Sequence, residues 1–201
     1  MAKRLGILIS GRGSNFVAIA DSIAAGKLEA EIAVVVTNEQ DAPGYKIAKE
    51  RGIKAVYLSS DGLSREEYDQ RIAEEMKKYW VDLICLAGFM RLLSPEFVRK
   101  HPQKILNVHP SLLPAFPGLN SQRAAMEHGV RYTGCTVHFV DEGLDSGPII
   151  RQAVVEIRND DTETTLTDRI LKEEHRIYTQ AIALVISGQW DIVGRRVRDL
   201  R

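Results

Sequence analysis

The chain is short of several things, and each shortage narrows what it can be. Among its 201 residues there are two cysteines, Cys85 in "LICLAG" and Cys135 in "TGCTVHFV", both inside apolar, strand-like runs. Neither has a ligand-type partner nearby in sequence. They read as small buried thiols in a reducing compartment, not as a disulfide framework, a redox pair or a metal site. His101, His128, His138 and His175 are scattered without ligand spacing, so no metal is expected. Net charge is missing too: 27 basic and 27 acidic residues cancel. No broad field attracts nucleic acid or an anionic membrane, so neither is expected as a partner, and an anionic ligand has to be held locally. Long hydrophobic runs are also absent. In the opening "MAKRLGILISGRG" the apolar stretch extends only from Leu5 to Ile9, too short for a signal peptide or a membrane span, and nothing later reaches spanning length. The expectation is one cytoplasmic domain over residues 1–201, whose 44% hydrophobic content suffices for a core.

What is present is a regular alternation of strand and helix signals. "RLGILIS" reads as a strand, "SNFVAIADSIAAG" as a helix closed by Gly26, and "AEIAVVVTN" as a second strand. This βαβ opening implies a parallel sheet with right-handed crossovers. "PGYKIAKERG" is a helix and "KAVYL" a third strand. Ser64-x-x-Glu67 is a capping box opening a helix over "SREEYDQRIAEEMKKYW", and "DLICLAG" is a buried fourth strand. Ser94 caps a short helix with Pro95 at its first position, and the strand "KILNVH" comes next. "SQRAAMEHG" is a helix ending at Gly129. The pattern then changes: "TGCTVHFVD" and "IIRQAVVEI", separated by the turn-rich "EGLDSGP", form a hairpin-like pair. A long helix covers "TETTLTDRILKEEHRIYTQAIALVISG", with Leu166, Ile170, Ile177, Ala181 and Leu184 on one face. The tail "QWDIVGRRVRDL" carries one short strand. The fold class is therefore α/β: a Rossmann-like, mostly parallel sheet with helices on both faces, a β-hairpin-like pair and a long C-terminal helix.

Three stretches carry candidate chemistry. In "ISGRGSN" a strand runs through Gly11 and Gly13 into a helix, with Ser14 and Asn15 as donors beside free helical N–H groups, which suits a phosphate. The alternative is a tight turn with Ser14 merely capping. A dinucleotide fingerprint fits less well, because Phe16 stands where its third glycine belongs and the second strand ends in Thr37-Asn38 without an acid. In "ILNVHPSLLPAFPG" Asn107 and His109 point to one side of an extended segment, and three prolines stiffen the loop beyond them. The turn "DEGLDSGP" offers Asp141, Glu142 and Asp145, the last between Gly143 and Gly147. An amide, an imidazole and a carboxylate are the set that stabilises an oxyanion and moves a proton in acyl transfer; a purely structural role is the competing reading.

Taken together, "SGRGSN" (10–15), "LAGFMRLLSP" (86–95), "NVHPSLLPAFPG" (107–118), "TGCTVHFVDEGLDSGPII" (133–150) and "EEHRIY" (173–178) resemble the phosphoribosylglycinamide formyltransferases over nearly the whole chain. The resemblance implies transfer of a formyl group from 10-formyltetrahydrofolate, as co-substrate, to the amine of glycinamide ribonucleotide in purine synthesis, without a metal. It implies an N-terminal part that binds the ribonucleotide phosphate and a C-terminal part for folate binding and catalysis. Carried onto this chain, Arg12, Gly13, Ser14 and Asn15 form the phosphate cradle, and Glu174 lies near the ribose. Arg65, Met90, Arg91, Leu92 and Leu93 contact the folate. Asn107 meets the formyl group, His109 is the catalytic acid and Asp145 is its carboxylate partner. Two positions depart from many relatives: Ala115 replaces a lysine, and Asn120 replaces a supporting histidine.

Overall fold

A computed structural model describes residues 2–201. The chain divides into two compact units, one ending at Leu106 and the other beginning at Asn107. The first contains β1 (Lys3–Ile9), α1 (Ser14–Ala24), β2 (Ala30–Thr37), α2 (Pro43–Glu50), β3 (Ala55–Tyr57), α3 (Arg65–Lys78), β4 (Leu83–Leu86) and α4 (Pro95–Lys100). Its strands lie in the order β3-β2-β1-β4 and pair in parallel. Parallel neighbours need crossover connections, and the intervening helices supply them. Ile7, Leu8 and Ile9 are consecutive and fully buried, as are Val34, Val35 and Val36. Unbroken burial of this kind belongs to strands covered on both faces. The Ser64 box forms as expected: Ser64 Oγ accepts from the Glu67 amide, and the Glu67 carboxylate accepts from the Ser64 amide at 2.8 Å. Ser94 caps α4 by accepting from the Phe97 amide, with Pro95 in the first turn.

The division falls inside β5 (Ile105–His109), which leads into α5 (Ser121–Glu127), β6 (Tyr132–Phe139), β7 (Ile149–Glu156), α6 (Glu163–Ser187), β8 (Trp190–Val193) and β9 (Arg196–Asp199). Here the strand order is β5-β6-β7-β9-β8. β6 and β7 are antiparallel, with a register shift between Val137 and His138. Such irregularities re-aim side chains. Leu166, Ile170, Ile177, Ala181 and Leu184 of α6 are all buried to 1% exposure or less, and Gly188, at φ 68°, ends the helix. The expected fold class therefore holds: a mostly parallel α/β arrangement with an antiparallel pair and a long C-terminal helix. The tail differs, forming two strands in place of one. Val193 pairs with Arg196 across Gly194-Arg195, and Gly194 takes φ 62°. That two-residue turn, with glycine first, closes a hairpin that the charge-rich tail sequence had hidden. β9 then pairs with β7 at Ile149.

Candidate active site

In the second unit, β5 delivers Asn107 and His109, and the loop after β6 delivers Asp145. His109 Nδ1 lies 3.3 Å from Asp145 Oδ2, with both side chains largely buried. On the other side of the ring, His109 Nε2 lies 2.9 Å from the Phe116 carbonyl oxygen. A carbonyl only accepts, so Nε2 carries a proton; a neutral ring would then turn the Nδ1 lone pair toward the carboxylate. The surroundings are thus complementary to the doubly protonated imidazolium. Asp145 is held in turn by the Gly118 amide, which donates to Oδ2 at 2.8 Å.

The proline loop is therefore folded back onto the His109–Asp145 pair at Phe116 and Gly118. Its near end is tied to β6 and β7. Thr136 Oγ1 donates to the Ser111 carbonyl (2.7 Å) and accepts from the Leu113 amide (3.0 Å), while Gln152 Nε2 reaches both the Leu113 carbonyl and Thr136 Oγ1. The Asp145 loop is packed just as closely. A Cβ on Gly147 would sit 1.9 Å from the Phe139 carbonyl oxygen, so only glycine permits this approach. Asp145 itself has φ 48°, a conformation aspartate tolerates better than most residues. Of the three acids offered by this turn, Asp141 is occupied locally: its Oδ1 accepts from the Gly143 amide and the Ser146 hydroxyl. Glu142 is exposed. Asp145 is the one that meets the imidazole.

The structure adds His138, which the sequence presented as one more scattered histidine. It is 2% exposed, its Nδ1 lies 2.8 Å from the Phe139 carbonyl, and its Nε2 lies 3.3 Å from Asn107 Nδ2 and 3.7 Å from Asp145 Oδ1. Burial lowers its pKa from the usual value, outweighing the Phe139 carbonyl and Asp145, which act the other way. The signal available in sequence was its place on an almost wholly buried strand, where an imidazole needs partners on both nitrogens. Glu174 is also buried, on α6. Burial pushes the Cys135 thiol up to about 12, and the Glu174 and Glu173 carboxylates add to the effect.

The first unit holds the remaining predicted residues. Gly13, at φ 72°, caps α1 without a side-chain hydrogen bond, and a Cβ there would lie 2.9 Å from Gly44 Cα. Packing against α2 alone therefore demands this glycine. The first turn of α1 contains no acidic residue, which suits an anion; in and beside it Asn15 is buried, Ser14 partly buried and Arg12 exposed. Arg65 opens α3 and is exposed. Met90 (70%) and Leu92 (59%) stand out into solvent, and the Arg91 guanidinium lies 4.9 Å from the centre of the Tyr68 ring. That exposed segment is anchored at both ends. Ser10 Oγ accepts from the Met90 amide at 2.9 Å while donating to Asn38 Oδ1, and buried Asp69 accepts from the Ser94 amide at 2.5 Å. Burial raises the Asp69 pKa, and it pushes the Tyr68 phenol up to about 12. Ser10, Asn38 and Asp69 escaped sequence reasoning; an aspartate among the buried positions of α3 was the available sign. Among the described residues no group of three or more His, Cys, Asp or Glu could hold a metal ion, and no helix is long and apolar enough to cross a membrane.

A part-buried amide, a buried imidazole and a carboxylate gathered on a mostly parallel α/β frame are a set suited to moving an acyl-type group. The formyl transferase family matches residues 3–182, and the chain belongs to that family. It is 42% identical to the phosphoribosylglycinamide formyltransferase of Escherichia coli over 184 residues, 91% of this chain and 87% of that protein. It is 47% identical to the trifunctional purine biosynthetic protein adenosine-3 of Drosophila melanogaster over 189 residues, but spans only 14% of that protein's length. The crystal structure of glycinamide ribonucleotide transformylase 1 from Symbiobacterium toebii matches with a TM-score of 0.97 and 49% identity, covering 100% of this chain and 95% of the other.

Proposed function

We propose that this chain transfers the formyl group of 10-formyltetrahydrofolate to the amine of glycinamide ribonucleotide, working as one formyltransferase domain. The observation that carries the reading is the imidazole of His109, set between the Asp145 carboxylate and a carbonyl acceptor and accompanied by the Asn107 amide. The names borne by the bacterial relatives support the choice of acceptor and of the formyl group.

In this reading Arg12, Gly13, Ser14 and Asn15 hold the phosphate at the start of α1, and Glu174 meets the ribose. Arg65 and the Met90–Leu93 segment, Arg91 and Leu92 included, contact the folate, and Asn107 contacts the formyl group it carries. Binding at the distant phosphate and pterin positions the reactants. The amine nitrogen attacks the formyl carbon, a C–N bond forms, and the carbonyl π electrons become an oxyanion. Asn107 Nδ2–H and an N–H of protonated His109 donate to it, while Asp145 supports the imidazolium. The amine then gives up a proton, N10 gains one, and the bond from carbon to N10 breaks, releasing tetrahydrofolate. His109 Nε2 faces the Phe116 carbonyl, so donation to the oxyanion from that nitrogen requires exchanging this bond for the substrate's. The buried thiols of Cys85 and Cys135 fit a reducing compartment, and we place the reaction in the cytoplasm.

The test uses purified protein, glycinamide ribonucleotide and 10-formyltetrahydrofolate, with deformylated folate followed by absorbance and the formylated product by mass. Ribonucleotide-dependent turnover is expected. No turnover, or formate release that ignores the ribonucleotide, overturns the assignment.

A further inference from the structure

We propose that His138 is a positioning residue for this reaction: its Nε2 accepts a hydrogen bond from the Asn107 side chain and so decides which end of that amide faces the reacting atoms. The inference rests on the formyl-transfer reading above and extends it to a residue outside the Asn107, His109 and Asp145 set.

The other nitrogen of the ring fixes the tautomer. His138 Nδ1 lies 2.8 Å from the Phe139 carbonyl oxygen, which can only accept, so Nδ1 carries the ring proton. In a neutral ring Nε2 is then an acceptor, and the group it faces at 3.3 Å must be a donor. Of the two ends of the Asn107 amide only the NH2 satisfies it; the flipped amide would set oxygen against a lone pair. Burial at 2% exposure favours the neutral ring, because a cation there loses its contact with solvent.

The amide nitrogen has two hydrogens. With one on His138, the second remains for an oxyanion. Without His138 nothing in this contact chooses between the two rotamers, and the flipped one turns an oxygen toward developing negative charge. Asp145 Oδ1, 3.7 Å from Nε2, pulls the other way, since a carboxylate favours a proton on that nitrogen, and burial of the ring outweighs it. A protonated His138 would draw that carboxylate away from His109 and face Asn107 donor to donor. The other titratable groups near the ring are His109 and Asp141. Holding this imidazole neutral therefore serves both partners.

The experiment compares wild type, His138→Phe and His138→Gln in the formyl-transfer assay, each checked for folding by circular dichroism and thermal unfolding. Phenylalanine keeps a ring but has no acceptor, so kcat should fall about tenfold, the scale of one lost neutral hydrogen bond, with KM for both substrates within about twofold. Glutamine can present an oxygen to Asn107 and should recover most of the loss. In an Asn107→Leu background the His138→Phe change should lower kcat by less than about twofold, since its target is gone. A loss as large in that background as in wild type would make His138 a general structural residue and overturn the proposal. So would wild-type kcat in His138→Phe. A readout independent of activity is the ring tautomer, read from imidazole 15N shifts: a proton on Nε2 in the native protein also overturns it. Absence of turnover in wild type would instead defeat the functional assignment, while the tautomer would still report on the hydrogen bond.

Discussion

At the scale of single residues, the candidate site matches donors to acceptors around two buried imidazoles. Asn107 and His109 are two positions apart on β5, so they share a side of the strand, and Asp145 reaches the imidazole from a loop 36 positions further on. On the proposed mechanism, Asn107→Leu removes one donor to the oxyanion while keeping the side chain's bulk. It should lower kcat by about two to three orders of magnitude with a smaller change in KM. Steady-state kinetics with both substrates varied decides this, and near-normal turnover would remove Asn107 from the mechanism. Asp145→Asn keeps the shape and an acceptor for the Gly118 amide but removes the charge facing His109 Nδ1. Turnover near neutral pH should fall by about a hundredfold, on the scale of losing general acid–base support, with folding intact by circular dichroism. Wild-type turnover would make Asp145 a turn residue.

At the scale of elements, the loops that carry the predicted site residues are held by a few buried ties. Asp69 on α3 accepts from the Ser94 amide and so fixes the far end of the exposed Met90–Leu93 segment. Asp69→Ala leaves that buried N–H without its acceptor and should cost about 1–3 kcal/mol, read from urea unfolding. A change under a few tenths would mean that water or relaxation replaces the bond. Gly147 does the corresponding work in the second unit. Gly147→Ala forces a methyl against the Phe139 carbonyl, so the Asp145 loop must move and kcat should drop even where the protein stays folded. A fully active, unshifted variant would show that the loop tolerates displacement.

At the scale of the whole molecule, burial sets the response to pH and to thiol reagents. The pKa of His138 and of His175 is lowered by burial below the usual 6.5. The unfolded chain then binds protons that the folded one refuses. Their contribution to stability is fully present above 6.5 and is lost as pH falls from there toward the folded values. The thermal midpoint should therefore decline on acidification through this window, and His138→Gln should flatten the decline; an identical slope would remove His138 as a contributor. Burial of Cys135, with its thiol pushed up to about 12, predicts no reaction with an aromatic disulfide reagent until the chain unfolds. Rapid native labelling would contradict it.

Much of the fold was legible in the residues alone. The βαβ order, the Ser64 box, the buried stripe of α6 and the pairing of β6 with β7 come from local periodicity and capping, which depend on neighbours a few positions away. Asn107 and His109 were visible because strand geometry puts alternate residues on one side. The remainder is long-range. That Asp145 and not Asp141 meets His109, that His138 faces Asn107, and that Gly13 answers to Gly44 all depend on which distant segments touch. A hydrogen bond forms or fails within a fraction of an ångström, and that separation is set by packing, not by spacing along the chain.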